Sequence, residues 1–148
     1  MTITLREITM ENFYECIKLT VNEDQKNFVA SNTFSLAEAQ ADGVSIPRAI
    51  YAGDQMVGFI MYDFELKEDR GYISRLMVDS RFQGNGYGRA AMDQIIDRLK
   101  DIPSCREIQT SYAPENIAAA KLYESLGFEQ TGDEIDGETI VRRVSPEV

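Results

Sequence analysis

Three glycines lie at alternate positions, Gly84, Gly86 and Gly88, within the segment RFQGNGYGRAA. A run typical of a strand, GYISRLMVDS, precedes them, and a run typical of a helix, AAMDQIIDRLK, follows. Glycine in a helical turn costs about 1 kcal/mol relative to alanine, so we expect a ligand to approach this backbone closely. Because free N–H groups and the helix dipole favour negative charge at a helix start, the segment predicts an anion-binding loop, with phosphate as the anion.

Three kinds of phosphate-binding loop can be compared with this segment. A Walker loop requires Gly-Lys followed by Ser or Thr, and it is excluded because Gly88 is followed by Arg-Ala. A dinucleotide fingerprint fits Gly86, Gly88 and Ala91, but it normally follows the first strand of a parallel sheet, and QTSY supplies no ribose-binding acid. The third pattern is Gln-x-x-Gly-x-Gly, and Gln83, Gly86 and Gly88 match its three fixed positions.

The composition limits the other chemistry that the chain can perform. Histidine is absent, which excludes Ser-His-Asp and Cys-His nucleophile systems and histidine metal sites, and we expect no metal. The two cysteines, Cys16 and Cys105, are too few for a disulfide framework. Acid–base chemistry must therefore use carboxylates, tyrosine, lysine, cysteine, water or backbone groups.

The net charge of −10, from 25 acidic and 15 basic residues, argues against a nucleic-acid partner, which would need a basic surface. The same charge suits a cationic partner through electrostatic steering, although acidity alone also confers solubility. There is no apolar run near the roughly 20 residues of a membrane span, and the N-terminal MTITLREITMENF lacks the apolar core of a signal peptide. We therefore expect a cytoplasmic protein without a membrane partner.

The elements that must position the glycine loop follow from hydrophobic periodicity. The chain predicts a strand, two helical segments, three antiparallel strands, the loop with its helix, a strand, a helix and two final strands. We expect the second helical segment to begin at Ser35, with Glu38 completing a capping box. Antiparallel hairpins combined with a βαβ crossover indicate an α+β or mixed α/β fold in one domain covering residues 1–148.

A second motif, ENIAAAKLYESLGF, makes a family resemblance specific. It matches the pattern N-x-x-A-x-x-L-Y-x-x-x-G-F at Asn116, Ala119, Leu122, Tyr123, Gly127 and Phe128. With the glycine loop and the order of elements, the chain resembles the GCN5-related N-acetyltransferases (GNAT) over nearly its full length. The resemblance implies a central, mostly antiparallel twisted sheet of about seven strands with four helices.

The resemblance also implies acetyl-CoA as acyl donor and assigns roles to individual residues. Tyr123 would protonate the leaving thiolate as general acid, and the Val78 N–H would stabilise the oxyanion. The other predicted coenzyme-binding residues are Met77, Gln83, Gly84, Asn85, Gly86, Tyr87, Gly88, Arg89, Asn116 and Ala119. The base remains open, because Ser74 stands near the position where relatives often carry an acid.

The closest resemblance within the family is to bacterial spermine/spermidine and diamine acetyltransferases. It implies a polycationic amine acceptor and a homodimer, and the candidate acceptor-binding acids are Glu23, Asp24, Asp63 and Glu65. Three alternatives remain: acetylation of another amine (a protein N-terminus, an amino acid or an antibiotic), a non-catalytic acyl-CoA-binding module, and a dinucleotide-dependent enzyme.

Overall fold

A central seven-stranded sheet organises the protein, for which a computed structural model describes residues 2–144. The spatial order of the strands is β1-β2-β3-β4-β5-β7-β6, and only the β4–β5 pair is parallel. The predicted mixed α/β fold with seven strands and four helices is confirmed. The strands are β1 Ile3–Arg6, β2 Ile46–Ala52, β3 Gln55–Glu65, β4 Arg70–Val78, β5 Glu107–Tyr112, β6 Glu129–Ile135 and β7 Glu138–Val144.

Four α-helices connect the strands: α1 Phe13–Lys18, α2 Asn32–Asp42, α3 Tyr87–Lys100 and α4 Ile117–Ser125. The predicted start of α2 is wrong, because Ser31 is its N-cap and accepts a hydrogen bond from the Phe34 N–H at 3.1 Å. Ser35 lies buried inside the first turn and donates to the Ser31 carbonyl oxygen instead. Within residues 2–144, no helix combines the length and apolar character that a membrane crossing requires.

The hydrophobic core lies on both faces of the sheet, since neighbouring residues of a strand point to opposite sides. On β3, Ile60 belongs to the cluster that packs against α3, whereas Phe59 belongs to the cluster under α1 and α2. The predicted apolar face of α3 is buried as a whole, and it consists of Met92, Ile95, Ile96 and Leu99. The sheet is therefore packed against helices on both faces.

The β4–β5 pair stops before either strand ends. Its last paired residues are Ile73 and Thr110, although β4 continues to Val78 and β5 to Tyr112. A β-bulge also lies here, because the register between β3 and β4 shifts so that Ser74 is an extra residue. Bulges bend a strand and increase its twist. The two parallel strands therefore separate, and a cleft opens between them.

Candidate active site

A cleft of about 710 Å³ occupies the gap between the ends of β4 and β5. Its walls include eleven of the residues predicted from sequence: Met77, Val78, Gln83, Gly84, Gly86, Tyr87, Gly88, Arg89, Asn116, Ala119 and Tyr123. Of the other predicted site residues, the four acids and Asn85 are not part of that lining. The sheet, the glycine loop and α4 thus bring distant parts of the chain around one space.

The glycine loop leaves open space above its backbone at the start of α3. Gly84 and Gly86 have φ angles of 83° and 79°, in the left-handed region that favours glycine. A Cβ on either residue would meet no atom within 4 Å, whereas a Cβ on Gly88 would lie 3.6 Å from the Val78 side chain. Gly86 is the N-cap of α3, so unsatisfied N–H groups of the first turn are available to an anion.

The Gln83 side chain fixes the shape of the loop. Its Nε2 donates to the Val78 carbonyl oxygen at 2.9 Å and to Gln25 Oε1 at 2.8 Å. Asn85 Nδ2 donates to the carbonyl oxygen of Phe82 at 2.9 Å, which closes the turn before Gly86. These side chains position the backbone that would bind the anion.

The sequence did not reveal Asp79, a buried carboxylate beneath this loop. It accepts hydrogen bonds from the Thr20 N–H at 3.0 Å and from Arg81 Nε at 2.8 Å. Burial alone would raise the pKa of Asp79, but the hydrogen bonds from Arg81 and Thr20 lower it overall. Asp79 is therefore an ionised anchor that ties the end of β4 to the segment after α1.

Helix α4 contributes its N-terminus and its C-terminal turn to the cleft. Asn116 is its N-cap and accepts a hydrogen bond from the Ala119 N–H at 3.2 Å. Arg89 on α3 donates to Ser125 Oγ at 2.6 Å and so links α3 to α4. The Arg89 guanidinium is thereby held beside the glycine loop, where an anion would attract it.

Tyr123 lines the cleft and is only 6% exposed. Its ring packs against Tyr112 and Phe128, with 5.9 Å between ring centroids in each pair. Burial raises the pKa of Tyr123 to about 12, although a hydrogen bond with Thr110 lowers it. The phenol is therefore protonated throughout the working pH range and is available as a proton donor.

The sequence profile described as the Acetyltransferase (GNAT) family matches residues 3–128. The chain belongs to the GNAT acetyltransferase family. A relative from Bacillus subtilis (strain 168), spermine/spermidine N(1)-acetyltransferase, is 28% identical over 95% of this chain and 97% of its own length.

Solved structures show the same GNAT fold. Aminoglycoside acetyltransferase AAC(6')-Ib in complex with coenzyme A has a TM-score of 0.79 and 18% identity, covering 97% of this chain and 95% of that one. Spermidine N-acetyltransferase from Vibrio cholerae in complex with CoA and spermine has a TM-score of 0.72 and 19% identity, covering 95% and 92%. At these identities the likeness establishes the fold alone.

The GNAT site also contains three side chains linked by hydrogen bonds, which the sequence did not reveal. Tyr72 Oη lies 2.9 Å from Ser111 Oγ, and Ser111 Oγ donates to Glu138 Oε1 at 2.8 Å. All three residues line the cleft. They come from three strands, and only the pairing of β4 with β5 and of β5 with β7 brings them together.

The predicted acceptor-binding acids of this GNAT protein lie in two places, two on a short 3-10 turn and two on β3. Glu23 and Asp24 lie on the short 3-10 turn that ends at Gln25, which lines the cleft, and Glu23 pairs with Lys26 at 2.6 Å. Glu65, on β3, pairs with Arg70 at 3.3 Å.

Asp63 also lies on β3, where it is paired with Tyr72 of the neighbouring strand β4. Its Oδ1 is buried and has no hydrogen-bond partner in the described part of the chain. Burial and the charges of Glu65 and Asp42 raise the pKa of Asp63 to about 6. The acids that line the cleft itself are Asp136 and Glu138, which the sequence did not single out.

Proposed function

We propose that the protein transfers the acetyl group of acetyl-CoA to a primary amine of a polyamine by direct attack. The observation that carries this proposal is the similarity to spermine/spermidine N(1)-acetyltransferase, which extends over 95% of this chain. Two cleft-lining carboxylates, Asp136 and Glu138, support it, because a polyamine carries several positive charges.

Acetyl-CoA fits the cleft on the evidence of its shape and donor groups. The open space at Gly84 and Gly86 suits the pyrophosphate, which would accept hydrogen bonds from the first turn of α3. Arg89 would add positive charge beside it. The edge of β4 from Ser74 to Val78 faces the cleft beyond the last residue paired with β5. Its backbone would pair with the amide groups of the pantetheine arm as an added strand does.

The mechanism assigns separate tasks to the two walls of the cleft. Acetyl-CoA supplies the reactive thioester. The backbone N–H of Val78 on β4 would stabilise negative charge that develops on the thioester oxygen. Tyr123 on α4 would give its phenolic proton to the departing sulfur. Although burial raises the pKa of Tyr123, the same burial removes water from the thiolate and raises its proton affinity as well.

Thiol release from acetyl-CoA, measured against a panel of amines, tests this function. The panel contains spermine, spermidine, a diamine, butylamine, an amino acid, a peptide with a free N-terminus and an aminoglycoside. We expect the highest kcat/KM for spermine or spermidine. A preference for any of the last four would overturn the polyamine assignment and leave the acetyltransferase assignment standing. Thiol release with none of them would favour an acyl-CoA-binding module.

A further inference from the structure

We propose that Tyr72, Ser111 and Glu138 form a relay that takes the proton from the attacking amine. The inference rests on the proposed function for its substrate, an amine that arrives as an ammonium ion. An amine of pKa about 10 is almost fully protonated at neutral pH, and the protonated form has no lone pair for attack. A protein group at the cleft that accepts one proton would therefore allow the abundant ammonium form to react.

The hydrogen-bond directions in the relay follow from the donors that are present. Ser111 has one hydroxyl hydrogen and donates it to the Glu138 carboxylate at 2.8 Å. At the 2.9 Å contact with Tyr72, Ser111 Oγ must then be the acceptor and the Tyr72 phenol the donor. A second lone pair of Tyr72 Oη remains available to an amine N–H. The negative charge of Glu138 thus strengthens Tyr72 as an acceptor through two hydrogen bonds.

The proton balance of the step is simple. The N–H bond of the ammonium ion breaks as its proton passes to Tyr72 Oη. The phenolic proton of Tyr72 moves to Ser111 Oγ, and the hydroxyl proton of Ser111 forms an O–H bond with Glu138 Oε1. No atom changes oxidation state. Tyr72 and Ser111 each lose one proton and gain one, and Glu138 gains the one proton that the ammonium ion has lost. Glu138, which is half-buried at the start of β7, then releases its proton to water.

The surroundings of Tyr72 are compatible with this role. The groups that affect its ionisation come from four strands: Asp63 on β3, Arg75 on β4, Ser111 on β5 and Glu138 on β7. Tyr72 and Tyr123 both line the cleft. Burial first, and then the charge of Glu138, raises the pKa of Tyr72. Tyr72 therefore remains a neutral phenol that relays a proton without being a permanent anion.

The relay and the proton donor lie on different walls of the cleft. Thr110 and Tyr112 belong to the face of β5 that packs toward Tyr123, and Ser111 between them points to the other face. An amine held at Tyr72 would thus approach from the opposite side to the sulfur that Tyr123 protonates. This separation keeps the two proton transfers apart.

The test compares the pH dependence of Tyr72→Phe, Ser111→Ala and Glu138→Gln with that of the unaltered protein. Acetylation of whichever panel amine is the best substrate is followed from pH 6.5 to 9.5. Without the relay, only amine that is already neutral reacts, so the variants should gain about tenfold in kcat/KM per pH unit below the amine pKa. The unaltered protein should depend on pH less steeply. We expect a loss of at least tenfold in kcat at pH 7 that shrinks toward pH 9.5.

Two variants serve as matched controls for these substitutions. Tyr51→Phe removes a buried phenol that accepts a hydrogen bond from Asn12 at 3.2 Å, on β2 and away from the cleft. Glu129→Gln removes one negative charge from the exposed part of the β6–β7 hairpin. Both should retain the pH profile of the unaltered protein.

Several outcomes would overturn the relay. A loss that is equal at every pH would indicate a structural role, and a change in KM with kcat preserved would indicate amine binding only. If Tyr72→Phe fails to fold, Ser111→Ala and Glu138→Gln decide the question alone. Because any accepted amine can be used, the relay can fail while the polyamine assignment stands, and the reverse also holds.

Discussion

Tyr123 combines deep burial with a position in the lining of the cleft. Tyr123→Phe removes one oxygen and keeps the ring against Tyr112 and Phe128. A general acid contributes about 10²–10⁴-fold to a rate, so we expect kcat to fall by that factor while the affinity for acetyl-CoA changes little. Single-turnover kinetics and isothermal titration calorimetry measure the two quantities.

The pH profile supplies a second measurement for the same residue. Because the pKa of Tyr123 is raised to about 12, its deprotonation should cause no decline in rate between pH 7 and pH 10. Tyr51→Phe, which loses a phenol on β2, is the control and should keep its activity. Full turnover of Tyr123→Phe with chemistry rate-limiting would show that the ring serves only for packing.

Asp63 makes the stability of the protein depend on pH in a direction unusual for a carboxylate. Its pKa is about 6 in the folded protein against a reference value of 3.8, so ionisation of this residue disfavours the folded state. Asp63→Asn should therefore be more stable than the unaltered protein above pH 6. The difference should shrink as the pH falls from 6 to about 4 and should vanish below the reference value of 3.8, where Asp63 is protonated in both states.

Thermal unfolding at one-unit pH intervals from 4 to 8 measures this difference in Tm. Glu129→Gln on the exposed part of β6 controls for the loss of one negative charge. A Tm difference for Asp63→Asn that is constant across the series would mean that burial does not penalise the Asp63 carboxylate.

Among the elements, the glycine loop can be compared with the end of α2, because each contains a glycine of similar backbone geometry. Gly86 and Gly43 have φ angles of 79° and 69°, and a Cβ on either would meet no atom within 4 Å. Alanine at such an angle costs about 1–2 kcal/mol, so Gly86→Ala and Gly43→Ala should lower the stability to a similar extent. Only Gly86→Ala places a methyl group where the pyrophosphate would approach.

We therefore expect Gly86→Ala to weaken acetyl-CoA binding at least tenfold, the effect of losing about 1.4 kcal/mol of hydrogen bonding to a charged group. Gly43→Ala, at the C-terminal end of α2, should bind as the unaltered protein does. Calorimetric titration of both folded variants decides the matter, and equal affinities would remove the loop from the coenzyme site.

The elements also show what sequence patterns predict and what they miss. Periodicity alone predicted α3 and its buried face, because a four-residue apolar stripe repeats at helical spacing. The start of α2 was missed because of a tertiary contact: the buried Asn32 donates to the Cys16 carbonyl oxygen at 2.9 Å and draws the first turn against α1. A local capping pattern at Ser35 could not reveal that contact.

The candidate site also contains some residues that the sequence predicted and others that it missed. The glycine loop and Tyr123 belong to contiguous motifs, so sequence could predict them. Tyr72, Ser111 and Glu138 lie 39 and 27 residues apart, and their contact depends on the register of two strand pairs. A shift of one residue in either register would turn the side chains to the opposite face. No sequence pattern fixes that register.

For the whole molecule, the net charge of −10 should appear in the salt dependence of acetylation. Spermine carries distal ammonium groups that butylamine lacks, and each partly exposed contact contributes up to about 1 kcal/mol, or roughly fivefold in kcat/KM. The range of such attraction falls from about 30 Å at 0.01 M salt to about 3 Å at 1 M. We expect the advantage of spermine over butylamine to shrink across this range. Equal kcat/KM values at low salt would end the polyamine assignment.

The separation of β4 from β5 has a consequence for self-association. Unpaired strand edges act as templates for other chains and lead to aggregation. Here two such edges face each other inside one molecule, across a cleft of about 710 Å³. We expect an extended ligand to enter between them more readily than a strand that carries its own side chains and flanking structure. Other features disfavour pairing at the outer edges of the sheet: β1 is short, with four residues, and β6 carries the charged residues Glu129, Asp133 and Glu134. We therefore expect the strand-pairing groups of the cleft to bind a ligand rather than a strand of another copy of the chain.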